Sequence, residues 1–409
     1  MRVAIIGGGA GGFFSALSVK EHHPDAQVII FEKSQKLLAK VKVSGGGRCN
    51  VTNGTDSIKT LAEAYPRGSK QLRKLFGTFN NQHAMRWFEE RGVPLVIQDD
   101  LCVFPVSQNS QSIIDCFLRE ANRLGIEIHT KAAVKQMQPT EDGINLTFAD
   151  EDKASEIFHK VIVATGGSPK ESGLEWLKVL GHKIASPVPS LFTFNMPNES
   201  ITELMGIVVE EAIVRIRLRS DQGTKLRGDG PLLITHWGMS GPAVLKLSAF
   251  GARILHEMKY QCVVQVNWVN DVNVDRVTNR LKQLQKDHPN KQLQNARLLE
   301  IPIRLWLYLL EKCGISKETT WTQMGKKPFN KLLNMLTNDE YQVSGKTTFK
   351  EEFVTCGGVS LESINMKTME SKAVPNLYFT GEVIDVDGIT GGYNFQAAWT
   401  TAFIAGKLL

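Results

Sequence analysis

No two of the six cysteines are spaced as C-x-x-C or C-x-x-x-x-C: Cys49, Cys102, Cys116, Cys262, Cys313 and Cys356 lie scattered along 409 residues. That distribution argues against a disulfide scaffold, a zinc site and a dithiol redox centre. It predicts a cytoplasmic chain with reduced thiols. Runs of 18 apolar residues are missing too, so no transmembrane helix and no membrane partner are expected. The opening segment MRVAIIGGGAGGFFSALSVK is apolar, but glycines interrupt it and its positive region is a single arginine. A strand followed by a glycine turn explains it better than a secretion signal. Internal repeats and low-complexity tracts are also lacking. Neither sign of charge dominates: 48 Lys+Arg against 42 Asp+Glu leave a net +6, a modest excess compatible with anionic ligands. The remainder is an ordinary globular composition, long enough for two or three domains.

The segment RVAIIGGGAGGFFSALSVKEHH reads as strand, tight turn and helix, and AQVIIFEKS as a second strand ending at Glu32. Gly7, Gly9 and Gly12 form G-x-G-x-x-G at the turn. Gly7 allows the bend, Gly9 lets backbone N–H groups approach a pyrophosphate, and Gly12 lets the helix pack close to the strand. Glu32 follows Gly12 by 20 residues and can accept hydrogen bonds from ribose hydroxyls. Two more glycine clusters, Ala164–Gly167 (ATGG) and Gly388–Gly392 (GITGG), favour FAD over NAD. FAD is long, and the second cluster precedes a C-terminal helix whose N-terminus can face the flavin pyrimidine. Thr380–Glu382 (TGE) fits a loop beside the ribityl chain. The stretch VSGGGRCNVTN, Val43 to Asn53, suits neither helix nor strand. Its glycines can lie flat on a ligand, Arg48 can neutralise a phosphate, and Asn50 and Asn53 offer amide donors; a plain surface turn is the alternative.

From Pro187 to about Gln265 the texture is of short β-rich runs, and from Val274 to about Leu336 it is helical. Between Asn270 and Lys331 there are twelve Lys/Arg and six Asp/Glu. A solvated helical face is the bland reading of that excess, and a nucleic-acid surface the sharper one. After Gly345 the β texture returns.

The segments GGGAGG, KVSGGGRCNVTN, VIVATGG, THWGMSGPAVLKLS, VTCGGVSLESINMKTMESK and LYFTGEVIDVDGITGGYNFQAAW occur in this order over nearly the full chain. Together they resemble the HI-0933-like flavoproteins, a family that includes aminoacetone-oxidase-like enzymes and a ribosomal-RNA dihydrouridine synthase. The resemblance implies an α/β fold. A Rossmann-like FAD-binding domain would comprise residues 1–187 and 345–409, an inserted β-barrel-like domain 188–272 and 337–344, and a small helical domain 273–336. It further implies FAD contacts at Gly7, Gly9, Ala10, Gly11, Gly12, Glu32 and Lys33; at Gly46, Gly47, Arg48, Cys49, Asn50 and Val51; at Val134 on the adenine side; at Ala164, Thr165, Gly166 and Gly167; and at Gly381, Glu382, Asp387, Gly391, Gly392, Tyr393 and Asn394. Cys356 stands where the family's pattern has a small residue such as alanine.

Proton-transfer candidates are His236 in THWGMSG, Cys356 and Tyr393. Each has a structural alternative, as a packed histidine, a small buried thiol or a ring under the C-terminal helix. No second G-x-G-x-x-G occurs, so NAD(P)H, if it is the electron donor, docks transiently. Three functions follow. Reduced FAD could saturate a carbon–carbon double bond, such as that of a uracil base in ribosomal RNA. Oxidised FAD could take hydride from a small amine like aminoacetone, with oxygen as acceptor. FAD could also be a structural ligand in an RNA- or protein-binding module.

Overall fold

The computed structural model describes residues 1–217, 226–347 and 354–409. The chain divides into two compact units, one formed by Met1–Ser190 with Phe349–Leu409 and the other by Leu191–Thr348. The first is the expected Rossmann-type FAD-binding fold, and the second holds a closed β-barrel.

The apolar runs VAII and VIIF have no polar face, as suits strands covered on both sides. Strand Arg2–Ile6 lies parallel between Gln27–Phe31 and Lys160–Val163. Glu127–His129 extends the sheet past the former and Leu377–Phe379 past the latter. Two short strands, Glu370–Ser371 and Ile364–Asn365, finish that second edge antiparallel. The helices Ala10–His22 and Tyr393–Ala405 have little amphipathic character and are buried along most of their length, which requires them to be covered on all sides. They cover one another in part: the Ser18 hydroxyl donates to the Phe403 carbonyl at 2.9 Å. Around them Phe14 packs on Trp87 and Trp399 with ring centroids 4.6 and 5.4 Å apart.

In the second unit six strands close a barrel in the order Thr193–Asn195, Gly238–Ser240, Arg227–Thr235, Val208–Ile216, Gln261–Asn267 and Asp339–Thr347. The run expected as a strand from Val208 to residue 218 ends at Ile216, and its last residue lies outside the described ones. The helical stretch 273–336 shares a core with the barrel. Val277 and Leu281 of helix Val274–Asp287, with Trp306, Trp321 and Leu332, join Val264, Val266 and Tyr341 in one cluster. Asp339 is buried there and takes the Lys312 ammonium at 2.6 Å and the Trp268 indole N–H at 3.0 Å, the partners a buried carboxylate needs. Among the described residues no helix is long and apolar enough to cross a membrane.

Candidate cofactor-binding site

The parallel strands of the first unit end at one edge, and the glycine segments gather there. Gly7 donates its N–H to the Phe31 carbonyl, Ala164 to Ile6 and Thr380 to Val163. Gly7 has φ +116°, and a side chain on it would meet the Ala164 carbonyl oxygen at 2.4 Å. One on Gly12 would meet the Gly7 carbonyl oxygen at 1.9 Å. These two glycines therefore serve close packing, as the spacing predicts. Gly9 differs, because a side chain there meets nothing within 4 Å. It opens onto free space at the start of helix Ala10–His22, which has no side-chain cap and no acid in its first turn. Such an end attracts an anion.

Glu32 follows the second strand and pins the turn. One carboxylate oxygen accepts the Gly8 N–H at 2.8 Å and the other the Ser34 N–H at 2.8 Å. A carboxylate has about four acceptor positions, so about two remain for a ribose. Lys33 beside it is exposed. Val134, at the start of strand Val134–Thr140, is half-buried. It lies two residues after Ala132, whose N–H donates to the Glu32 carbonyl at 2.9 Å. Thr165, Gly166 and Gly167 follow the strand Lys160–Val163; Gly166 has φ +75° and, like Gly9, open space beside it. Glu382 accepts the Thr355 N–H at 2.9 Å and pairs with Lys40 at 2.6 Å. Gly381 donates to the Thr401 hydroxyl at 3.0 Å.

The irregular stretch answers to its glycines. Helix Ala39–Gly47 breaks within it, with Gly45, Gly46 and Gly47 at φ +56°, +67° and +84°, a region that favours glycine. Gly46 is exposed and has open space beside it. Arg48 does not project freely. Its guanidinium lies over the Phe104 ring at 4.0 Å and donates to the Gly45 carbonyl at 3.2 Å and the Gln108 side chain at 3.3 Å. Burial pushes the Cys49 thiol up to about 12. Asn50 accepts the Val103 N–H at 3.3 Å through its side chain, and Val51 donates to the Val103 carbonyl at 2.8 Å.

The C-terminal glycine loop meets this stretch. A side chain on Gly392 would come within 2.3 Å of the Thr52 carbonyl oxygen, and the Asn53 amide donates to the Gly391 carbonyl at 3.3 Å. Gly392 starts helix Tyr393–Ala405, again without a side-chain cap or an early acid. The Asn394 amide clasps Gly388, accepting its N–H at 2.8 Å and donating to its carbonyl at 3.0 Å. Asp387 is fully buried, paired with Arg67 and accepting the Ser190 hydroxyl at 2.7 Å. Its carboxylate is committed to holding the loop. Tyr393 is half-buried, and burial, with the charges of Cys102 and Asp100, pushes its phenol up to about 12. Its carbonyl accepts the Tyr65 hydroxyl at 2.6 Å.

Cys356 is fully buried in strand Val354–Val359, opposite Val188. His236 belongs to the second unit, exposed at the turn before Gly238–Ser240, with its ring edge-on to Trp237 at 4.4 Å. Sequence reasoning missed Arg67, Tyr65, Lys40 and Thr401, which brace the loops. None carries a local motif, and the partners of Arg67, Tyr65 and Lys40 lie more than 300 positions away.

The residues present fit FAD. Beside Gly9, Gly46 and Gly166 an added side chain would occupy open space, and two long helices offer uncapped N-termini in the same unit.

A family model described as HI0933-like protein Rossmann domain matches residues 1–408. A ribosomal RNA dihydrouridine synthase of Escherichia coli (strain K12) is 30% identical, the match covering 98% of this chain and 95% of that protein. A 3-dehydro-bile acid delta(4,6)-reductase of Clostridium scindens is 26% identical, over 99% of this chain and 98% of that one. Among solved structures, the 3-ketosteroid-delta4-(5alpha)-dehydrogenase of Rhodococcus jostii RHA1 superposes with a TM-score of 0.52 at 9% identity, covering 99% of this chain and 96% of that chain. That likeness is one of fold alone.

Proposed function

We propose, for a chain that belongs to the HI0933-like family along nearly its whole length, an FAD-dependent oxidoreductase that saturates a carbon–carbon double bond in a uracil base of ribosomal RNA. The observation that carries this is the full-length match to a ribosomal RNA dihydrouridine synthase, joined to the glycine-lined edge described above. Both relatives named there are named for adding hydrogen across a double bond, which favours the reductive reading over amine oxidation.

FAD, when bound, supplies the hydride chemistry. The chain's part is to hold it. Gly9 and the first helix's free N–H groups receive the pyrophosphate, and Glu32 receives the ribose. The C-terminal helix N-terminus, locked by Asn394 and Asp387, receives the flavin's electron-rich end. Tyr393, with its phenol protonated at neutral pH, can donate a hydrogen bond but does not shuttle as an ionised base. Cys356 has no surface to offer a substrate. With no second dinucleotide motif in the sequence, NAD(P)H, where it is the electron donor, docks transiently.

RNA as substrate accords with the second unit's surface. Lys282, Lys286, Lys291, Lys317, Lys326 and Lys327 are exposed there without an ion-pair partner among the described residues. The test is anaerobic. FAD-loaded protein is reduced, mixed with unmodified ribosomal RNA, and the RNA digested to nucleosides for mass spectrometry. Uridine gaining two hydrogens is expected. Unmodified RNA, with flavin instead reoxidised by a small enone, would move the substrate to the small-molecule class.

A further inference from the structure

The barrel's outer face carries an arrangement that the flavin edge does not explain. Arg215 in strand Val208–Ile216 stands directly opposite Arg227, the first residue of strand Arg227–Thr235. On its other side Arg215 faces Gln265, and Gln265 faces Glu340. One row across four strands thus reads Arg, Arg, Gln, Glu, and residues directly opposite share a face of the sheet.

The row's one carboxylate is taken. Glu340 pairs with Arg217 at 3.1 Å and accepts the Gln265 amide at 2.9 Å. The nearest other acid along the strand, Asp229, pairs with Lys246 at 3.7 Å. The guanidiniums of Arg215 and Arg227 have no hydrogen-bond or ion-pair partner among the described residues. Burial and the charge of Arg227 lower the Arg215 guanidinium from its usual range. Like charges directly opposite weaken a ladder, so the free protein gains nothing by this pairing. An oxyanion that accepts from both guanidiniums would convert the repulsion into two charge-assisted contacts.

We propose that Arg215 and Arg227 together dock a backbone phosphate of the RNA substrate. This rests on the RNA reading above and adds to it a specific contact on the second unit. It differs from the two arginines of helix Val274–Asp287. Arg276 is paired with Asp271 at 2.8 Å and Arg280 with Glu300, so neither is free for phosphate.

The experiment uses the FAD-loaded full chain and a fluorescein-labelled single-stranded RNA of ribosomal sequence. Anisotropy is followed at several potassium chloride concentrations. Arg215→Gln/Arg227→Gln is compared with wild type and with Lys70→Gln/Lys74→Gln, which removes the same charge from the first unit. The arginine variant should bind more weakly, and its log–log salt slope should be shallower by roughly 0.7–1.4, from one or two phosphate contacts. The lysine variant should keep the wild-type slope. The arginine variant's thermal unfolding midpoint should hold or rise, because a repulsion has been removed. An equal loss in both variants would reduce the effect to net charge and overturn the proposal. So would an unchanged slope, or a fallen midpoint with binding intact. If the arginine variant still binds and reduces RNA like wild type, this docking point falls while the RNA reading stands. If wild type neither binds nor modifies RNA, both fall.

Discussion

Glu32→Ala tests whether one carboxylate organises the turn as well as touching the cofactor. Glu32 accepts two backbone N–H groups, from Gly8 and Ser34, each at 2.8 Å. A hydrogen bond to a charged group contributes about 1.5–3 kcal/mol. The Ser34 N–H is exposed and returns to water, so its loss is small. The Gly8 N–H is buried, and leaving it unpaired costs about 1–3 kcal/mol, a penalty that overlaps the contribution of the bond itself. Together these predict a loss of about 2–4 kcal/mol in the protein without FAD. For a domain of this size about 2–4 °C follows each kcal/mol, so the unfolding midpoint should drop by roughly 5–15 °C. Glu90→Ala is the control: Glu90 is exposed and its side chain has no hydrogen-bond or ion-pair partner among the described residues. The assay is thermal unfolding of FAD-stripped protein, beside flavin content from the ratio of visible to ultraviolet absorbance. A stripped Glu32→Ala protein that melts within about 1 °C of wild type would refute the pinning argument. Flavin loss in that case would be a ligand contact alone. Equal flavin content in both variants would remove Glu32 from the ribose as well.

Gly9→Ala and Gly12→Ala should separate cofactor space from packing. An added methyl at Gly9 meets nothing within 4 Å but at Gly12 sits 1.9 Å from a carbonyl oxygen. The first should keep its unfolding midpoint and lose FAD affinity; the second should fail to give a folded first unit, as circular dichroism and yield would report. The purified protein should be yellow and release FAD, not FMN, on denaturation, as chromatography of the supernatant would show. Cys49, at about 12 against a usual 9.0, should resist iodoacetamide at pH 8 until the protein unfolds. Its neutral thiol contributes stability that is full below pH 9 and is lost as pH climbs toward 12, because only the unfolded chain ionises there. Replacing Lys282, Lys286, Lys291 and Lys317 by glutamine should flatten the salt dependence of RNA binding while leaving flavin content unchanged; an unchanged slope would take that surface out of RNA recognition.

What could be read from the sequence was what local geometry dictates. Gly7, Gly9, Gly12 and Glu32 lie within one strand–helix–strand unit, so their spacing carries the turn, the helix start and the carboxylate. The positive φ of Gly45 to Gly47 likewise follows from three adjacent residues without side chains. Arg48 and Asp387 were harder. Both sit in motif-rich loops and carry charge, which suggests ligand contact, but Phe104 and Arg67 decide where those charges point. Arg67 is 320 residues from Asp387, and no periodicity connects them. The basic helical segment was a matter of counting charges. Counting does not reveal that Arg276 and Arg280 are neutralised by neighbours, nor that Arg215 and Arg227 face each other across a ladder.

The late-arriving C-terminal helix gives this chain an order of assembly. Strand Leu377–Phe379 completes the sheet beside Lys160–Val163, the Trp399 indole reaches the Val51 carbonyl at 2.9 Å, and Lys160 holds the Leu408 carbonyl at 2.8 Å. On the ribosome, residues 1–190 therefore wait, with a strand edge open and the first helix uncovered, while residues 191–348 acquire a core of their own. The inserted unit would then fold before its host closes. Slow or unstable folding of the insert lengthens the time for which the half-built sheet is open to aggregation. Lesions in the barrel should therefore appear first as lost yield, with the recovered molecules retaining their flavin.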